Sequence, residues 1–369
     1  MTFTVVTRSF KEEFERWTDA LETANSLKPQ LKSWFTDIRI FDGKDLVWMY
    51  SKLRAHPEYI GPGTYDRLGR LFMAEGRQEA ASRQPWQIRD HQYNWGDRTY
   101  LMGVINVTPD SFSDGGQFNS VETALAQAKA LLDNHIDILD VGGQSTRPGA
   151  EQISLGEELN RVVPVIEAIR QSHDDLLKQS VISVDTTRAT VARAAIEAGA
   201  DIINDISGAT YEPDILKVAA ETGVPIILMH LRGTPETMQQ MTDYDDLMGE
   251  ITAFLKKQIE QALATGVPMQ NICIDPGIGF AKTYPQNLEI LRQLSDLAVL
   301  GCPMLVGASR KSFIGWILDQ PDPQQREWGT AAACTAAIAG GADILRVHNA
   351  AMVDVTRVAD AIWRQSNSD

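Results

Sequence analysis

The sequence predicts an α/β protein: eight strand–helix units closed into a (β/α)8 barrel, preceded by a small α+β extension at the amino terminus. Three observations carry this. From about residue 100 onward, short runs rich in Val, Ile and Leu alternate with Ala-rich amphipathic stretches, the pattern of a parallel sheet buried on both faces. The units fit into residues 97–369, close to the roughly 250 residues that a TIM barrel needs. The runs also end in polar residues, which in such a barrel gather on the face that carries chemistry. A doubly wound open sheet is the rival fold, because its units look alike locally.

In order along the chain, Phe10, Phe14, Trp17, Leu21 and Ala24 recur at three- and four-residue steps and predict an amphipathic helix. Ile38 and Ile40, then Asp42-Gly43, then Leu46, Trp48 and Tyr50 predict a β-hairpin. A second helix is expected over 64–75, followed by a polar linker over 75–85. Residues 1–85 are therefore read as extension plus linker, and 86–369 as the barrel domain, entered through a short hairpin at 86–100. The barrel strands are expected at 101–106, 136–141, 181–185, 201–206, 225–230, 271–275, 303–307 and 343–348. Good helices lie between them, for example 121–134, 190–200 and 330–342, the last two with Gly near the carboxyl end.

Composition sets limits. With 43% hydrophobic and 22% charged residues the chain can bury a sizeable core. No apolar run approaches the roughly 20 residues of a membrane span, so no membrane partner is expected. The start lacks an apolar signal core, and Glu12, Glu13 and Glu15 argue against a transit peptide; cytoplasm is the expected compartment. Cys273, Cys302 and Cys334 are far apart and read as reduced core residues. The six histidines show no zinc-like spacing. Net charge is −15, which argues against nucleic acid as a partner. Residues 1–96 carry 14 Lys+Arg and 13 Asp+Glu, which leaves 20 basic and 36 acidic residues for the barrel. An acidic body that binds anions must gather its few cations locally.

The candidate site follows from the strand ends. Asn106, Asp140, Asp185, Asn204, His230, Asp275, Arg346 and His348 all fall at or near them. Asp and Asn also cap helices and start turns, but so many at strand ends is hard to explain by capping alone. Buried Asp185 and Asp275 can accept from an amino-pyrimidine edge, and Asn204 can donate and accept, which suits a flat heterocycle. The plain alternative is that each carboxylate pairs with a neighbouring Arg or Lys. Arg147, Lys282, Arg310, Lys311, Arg346 and His348 form a second, cationic group suited to phosphate. Asn106 and Asp114 can add oxygen ligands for Mg²⁺. Two long polar loops, 106–116 and 142–150, read as binding loops. Neither fits a P-loop or a dinucleotide fingerprint.

These segments resemble the dihydropteroate synthases. MGVINVTPDSFSDGG (102–116), DVGGQSTRPGA (140–150), SVDTTR (183–188), INDISG (203–208), MHLRGTPETMQ (229–239), IDPGIGF (274–280), VGASRKS (306–312) and RVH (346–348) stand in the family order over nearly all of 97–369. The resemblance implies condensation of 6-hydroxymethyl-7,8-dihydropterin diphosphate with p-aminobenzoate, giving 7,8-dihydropteroate and diphosphate, with Mg²⁺ as cofactor and a homodimer as the assembly. It implies a pterin pocket of Asp185, Asn204, Asp275, Lys311, Met229, Gly307 and Phe280. The diphosphate site would comprise Asn106, Arg147, Arg346 and His348, with Asn106 at the metal. The p-aminobenzoate site would comprise Phe112, Ser113, Thr146, Arg147, Pro148, Lys311 and Ser312. Asp185, Lys311, Asp114 and Arg147 would be catalytic, stabilising the pterin cation and the departing anion. Gln144 stands where many members carry Glu, and Ala281 and Asn349 where Gly and Asp are expected. Two other readings remain: a pterin-binding methyltetrahydrofolate-type methyltransferase, which needs the carboxylates but not SRKS, STRP or RVH, and a non-catalytic pterin-binding protein.

Overall fold

The computed structural model describes residues 3–6, 11–14, 37–42, 45–51, 83–107, 117–146 and 149–364. In the extension, β1 (Phe3–Val6), β2 (Lys11–Phe14), β3 (Asp37–Asp42) and β4 (Asp45–Ser51) form an antiparallel sheet in the order β2-β1-β3-β4. The expected hairpin is β3–β4, with a shift of register between Ile40 and Phe41. The helix expected from Phe10 is not formed over its first turn, because Lys11–Phe14 pairs with β1 instead. Local three- and four-residue spacing cannot see a partner strand, and Thr4, Val5 and Val6 are β-branched residues that suit a pleated ladder. Trp17, Leu21, Ala24 and the helix expected over 64–75 lie outside the described residues.

The hairpin β5 (Trp86–Ile88) and β6 (His91–Tyr93) leads into the barrel. Its rings plug the amino-terminal mouth. Trp86 packs edge-on against Trp95 at 5.0 Å and Tyr93 lies 4.8 Å from Tyr100. These aromatics form one buried cluster with Met102, Ile138, Ile202 and Ile344 from the strand starts. Rings pay for their entry by finding partners for their polar tips: Trp86 Nε1 donates to the Gln270 carbonyl at 2.6 Å and Trp95 Nε1 to that of Gln84 at 3.0 Å.

The barrel strands are β7 (Tyr100–Asn106), β8 (Ile138–Gly142), β9 (Val181–Asp185), β10 (Ile202–Asp205), β11 (Ile226–Met229), β12 (Ile272–Asp275), β13 (Leu305–Val306) and β14 (Ile344–Val347). All eight expected runs contain strands; 181–185 matches its strand residue for residue, 303–307 shortens to two residues, and the others differ by one or two residues at their ends. Neighbours follow chain order from β7 to β12, and β14 returns to pair with β7. The remaining seam closes where Ile274 bridges Met304 and its N–H donates to the Pro303 carbonyl at 3.0 Å. That closure separates the barrel from the open-sheet alternative.

Around it lie α1 (Gln117–Asp133), α2 (Leu155–Arg170), α3 (Asp175–Gln179), α4 (Ala189–Ala198), α5 (Ile215–Thr222), α6 (Leu247–Thr265), α7 (Tyr284–Arg292), α8 (Ser312–Leu318), α9 (Glu327–Ala339) and α10 (Met352–Trp363). Their apolar stripes pack on the outward faces of the strands in one continuous core. The helix starts show why the chain turns where it does. Thr283 and Gln286 form a reciprocal capping box that begins α7, and Ser154 caps α2. Among the described residues no helix is long and apolar enough to cross a membrane.

Candidate active site

The strand ends converge on one guanidinium. Arg346, on β14, donates from Nε to Asp140 at 2.6 Å and from Nη2 to Asp185 at 2.7 Å. Asn204, at the end of β10, turns its amide to Asp140 at 3.3 Å. Parallel register sets these side chains on adjacent levels: Asn204 lies beside Asp185, and Asp140 beside Ser183, two residues before Asp185. Across the barrel, Asp275 ends β12 and accepts the Gly277 N–H at 2.7 Å. Lys311 sets its ammonium 4.0 Å above the Phe280 ring, a cation–π contact. His348 places Nδ1 3.1 Å from the Ser309 hydroxyl, which also accepts its backbone N–H.

Burial makes these charges reactive. It drives the Asp185 carboxyl upward, Arg346 opposes that, and Asp140 adds to it. Asp275 is pushed up to about 6 by burial, against the pull of the Gly277 N–H and of Lys311 and Lys282. Burial lowers Lys311 to about 8, with Arg346 adding to the effect. Burial also disfavours the Arg346 cation, but Asp140 and Asp185 outweigh it and hold the guanidinium charged.

A cleft at the barrel mouth is lined by Thr146, Asn204, Ile206, Met229, Asp275, Ile278, Phe280, Gly307, Ser309, Lys311, Arg346 and His348. It therefore gathers side chains that follow six different strands. Thr146 and Ile206 also line a second cavity of about 400 Å³, bounded by Asp185, Glu158, Arg188 and Tyr211. In its wall, buried Glu158 accepts from Thr186 Oγ1 at 2.5 Å and from Arg188 at 2.9 Å, and Arg188 reaches on to the Ile153 carbonyl at 2.6 Å. Gln144 braces the same loop: its amide donates to the Glu151 carbonyl and accepts the Ile153 N–H. An amide can do both; a Glu there could only accept.

Of the residues expected at the site, Asn204, Met229, Asp275, Phe280, Gly307, Lys311, Arg346, His348 and Thr146 share that cleft. Asp185 joins it through Arg346. Asn106 ends β7, half-buried, beside Gly142 of β8, and is not among the lining residues of either cavity. Ser312 opens α8 and is exposed. Phe112, Ser113, Asp114, Arg147 and Pro148 lie outside the described residues.

Some cations expected to serve phosphate are engaged elsewhere. Arg310 donates to Glu327 at 2.7 Å. Lys282 is fully buried and turned inward, 3.0 Å from His230 Nδ1. Arg346 is held by two carboxylates, so Asp185 is ion-paired, the plain alternative for that residue. Sequence reasoning named Asp140 among the strand-end candidates but assigned it no partner, and gave Ser309 no role although it stood inside a quoted motif. Glu158 was missed altogether: in a run of helical carboxylates nothing local marks the one that faces inward.

A plane of carboxylates and an amide below a rim of cations can grip a polar heterocycle at its edge and an anion above it. Comparison with known proteins agrees. Residues 102–348 match the family described as pterin binding enzyme. A dihydropteroate synthase of Synechocystis sp. is 59% identical over 281 residues, 76% of this chain and 96% of that protein. A mitochondrial folate synthesis bifunctional protein of Arabidopsis thaliana is 40% identical over 338 residues, 88% of this chain, which spans 60% of that longer protein. Among solved structures, dihydropteroate synthase from Clostridium difficile in the presence of pteroic acid has a TM-score of 0.69 at 41% identity, covering 74% of this chain and all of that one.

Proposed function

The chain belongs to the family of pterin-binding enzymes and is a dihydropteroate synthase, a transferase of folate synthesis, and we propose how its residues share out the reaction. The observation that carries the assignment of roles is the single cleft that joins Asn204, Asp275 and Lys311 to Arg346 and His348.

The pterin lies flat between Met229 and Phe280, its amino-pyrimidine edge donating to Asp275 and its ring exchanging hydrogen bonds with Asn204 and Lys311. The diphosphate lies at the rim against Arg346, His348 and Arg147. Arg346 pairs with both Asp185 and Asp140. An incoming diphosphate competes for that guanidinium, and Asp185 is left to face the ring with its charge uncovered. The methylene–oxygen bond then breaks, its electron pair leaving with diphosphate, and positive charge spreads into the ring opposite Asp185. A buried carboxylate stabilises that charge strongly because little water screens it. The amine of p-aminobenzoate attacks the methylene and loses a proton. Thr146, Pro148, Phe112, Ser113 and Ser312 border the arylamine, and Asp114 assists from the first loop.

Asn106 fits Mg²⁺ in one way. It offers a single neutral oxygen at a strand end, which suits an ion that takes its remaining ligands from diphosphate and water. Among the described residues no three His, Cys, Asp or Glu side chains come together to hold a metal by themselves. Bound there, Mg²⁺ would neutralise charge on the leaving group. A second copy of the chain is proposed to cover the exposed apolar side chains of α7, α8 and α9, namely Tyr284, Trp316, Ile317, Leu318 and Trp328.

The deciding experiment is diphosphate release from dihydropterin diphosphate. It should require p-aminobenzoate and Mg²⁺, and release that ignores the arylamine would overturn the reading.

A further inference from the structure

Lys282 stands outside the mechanism, yet it is among the largest fully buried side chains of the protein. It closes the loop that runs from Asp275 to the start of α7. Its Nζ lies 3.0 Å from the Gly277 carbonyl, 2.9 Å from the Phe280 carbonyl and 3.0 Å from His230 Nδ1. An ammonium has three donors and no acceptor, and here it meets three acceptors. His230 must then accept at Nδ1 and keep its proton on Nε2; burial and Lys282 together lower its pKa to about 2, so it stays neutral.

The loop is wound so that these carbonyls can point inward. Gly277, Gly279 and Ala281 all have positive φ, at 72, 85 and 50 degrees. Gly277 is gripped at both ends: its N–H holds the Asp275 carboxylate and its carbonyl is held by Lys282. Phe280, whose carbonyl Lys282 also binds, carries the ring beneath the Lys311 ammonium. The backbone N–H of His230 in turn donates to the Asp275 carbonyl at 2.9 Å, so the lysine's third partner fixes the same strand end.

We infer that Lys282 is a positioning residue for the pterin half of the site: it knots the loop 276–282 to the end of β11 and so sets both the Asp275 carboxylate and the Phe280–Lys311 stack, without touching substrate. The inference rests on pterin being the ligand of that cleft. A ring gripped at its edge by one carboxylate is sensitive to displacements of a fraction of an ångström. The diphosphate residues Arg346 and His348 stand on β14 and after it, away from the knot.

The test replaces Lys282 with Met, which keeps much of the volume and removes every donor. In the full chain, fluorescence titration with 6-hydroxymethylpterin should show affinity weakened by roughly 10-fold or more, since buried acceptors lose their partner and the loop relaxes. The KM for dihydropterin diphosphate should rise in parallel, and by more than the KM for p-aminobenzoate at saturating pterin, to which Lys311 also contributes; simple loss of folded protein moves neither KM. Should Lys282→Met not fold, His230→Leu removes one of the three acceptors and is read in the same way with a smaller shift. Pterin affinity and KM within about 2-fold of the parent in either folded variant overturn the inference. A parent protein that itself fails to bind the pterin overturns the functional reading instead.

Discussion

Asp185 joins two demands that pull in opposite directions. Burial makes its negative charge costly, and Arg346 at 2.7 Å makes that charge tolerable until substrate takes the guanidinium away. Asp185→Asn should lower turnover on the order of 100-fold or more, because the lost interaction strengthens in the transition state. Turnover near normal in a folded variant would remove Asp185 from the mechanism. A second consequence concerns pH. Asp275 accepts from the pterin when ionised and Lys311 donates when charged, so kcat/KM should fall below about pH 6 and above about pH 8. Stability follows the same groups. The folded-state value of Asp275 is raised, so its contribution is fully present below the unfolded value of about 3.9 and is lost as pH rises through about 6. That of Lys311 is lowered, so its contribution is present above about 10.4 and is lost as pH falls through about 8. Between those limits both burdens coincide, and a pterin mimic should raise the melting temperature most there; a shift that is flat from pH 5 to pH 9 would contradict this. Residue types at strand ends were legible in the sequence because Asp, Asn and His seldom follow an apolar run without cause. Their partners were not. Nothing in a one-dimensional string tells that Arg346 closes on Asp140, 206 positions away.

Elements were legible where burial is two-sided. Each barrel strand is mainly apolar, with its polar residues toward the carboxyl end, because helices cover one face and the barrel interior the other, so strand identity needs no knowledge of the partner. Loops obey a different logic. The turn after β12 depends on close approach: a Cβ on Gly277 would sit 2.1 Å from the His230 carbonyl oxygen, at a φ of +72 degrees that other residues rarely adopt. Gly277→Ala should therefore cost more than about 2 kcal/mol, the sum expected of strain and a backbone clash. It should also weaken pterin binding, since the displaced N–H is the one that holds Asp275. Chemical denaturation and pterin titration check the two halves, and unchanged stability would show that the loop tolerates the shift. Ala281 was noted in the sequence as standing where Gly is expected, and it does adopt a φ of +50 degrees. Its methyl is fully buried beside Phe280 and Met229, so packing offsets the backbone cost. In the extension the reverse held: Lys11–Phe14 is not an apolar run that announces a strand, and it is one through its pairing with β1.

At the scale of the whole molecule, the polar stretch before the barrel is tied to it by the Gln84 carbonyl, which accepts from Trp95, and more strongly by Arg83. Arg83 reaches Asp343 at 2.7 and 3.2 Å and the Cys302 carbonyl at 2.7 Å. The Asp343 side chain is fully buried at the foot of β14, where it also accepts the Met304 N–H at 2.9 Å. Composition alone marks residues 75–85 as a linker, and by that reading a chain begun near Pro85 folds and keeps its catalytic rate with room for lower stability. The ion pair gives that loss of stability a specific source. Removing Arg83 leaves a buried carboxylate with backbone partners alone, at the seam between β13 and β14 where register is set by few bonds. A chain begun at Ser82 should keep the barrel's stability, whereas one begun at Trp86 should lose about 1–3 kcal/mol. Arg83→Ala in the full chain should lose a similar amount. Turnover should stay within about 2-fold in all three, because Arg83 lies at the strand starts and Lys311 and His348 at the opposite mouth. Denaturation midpoints with steady-state rates separate the outcomes. Equal stability of the two truncated chains would show that solvent replaces the guanidinium at no cost. A lost rate in a stable chain begun at Ser82 would instead assign residues 1–81 a part in the site.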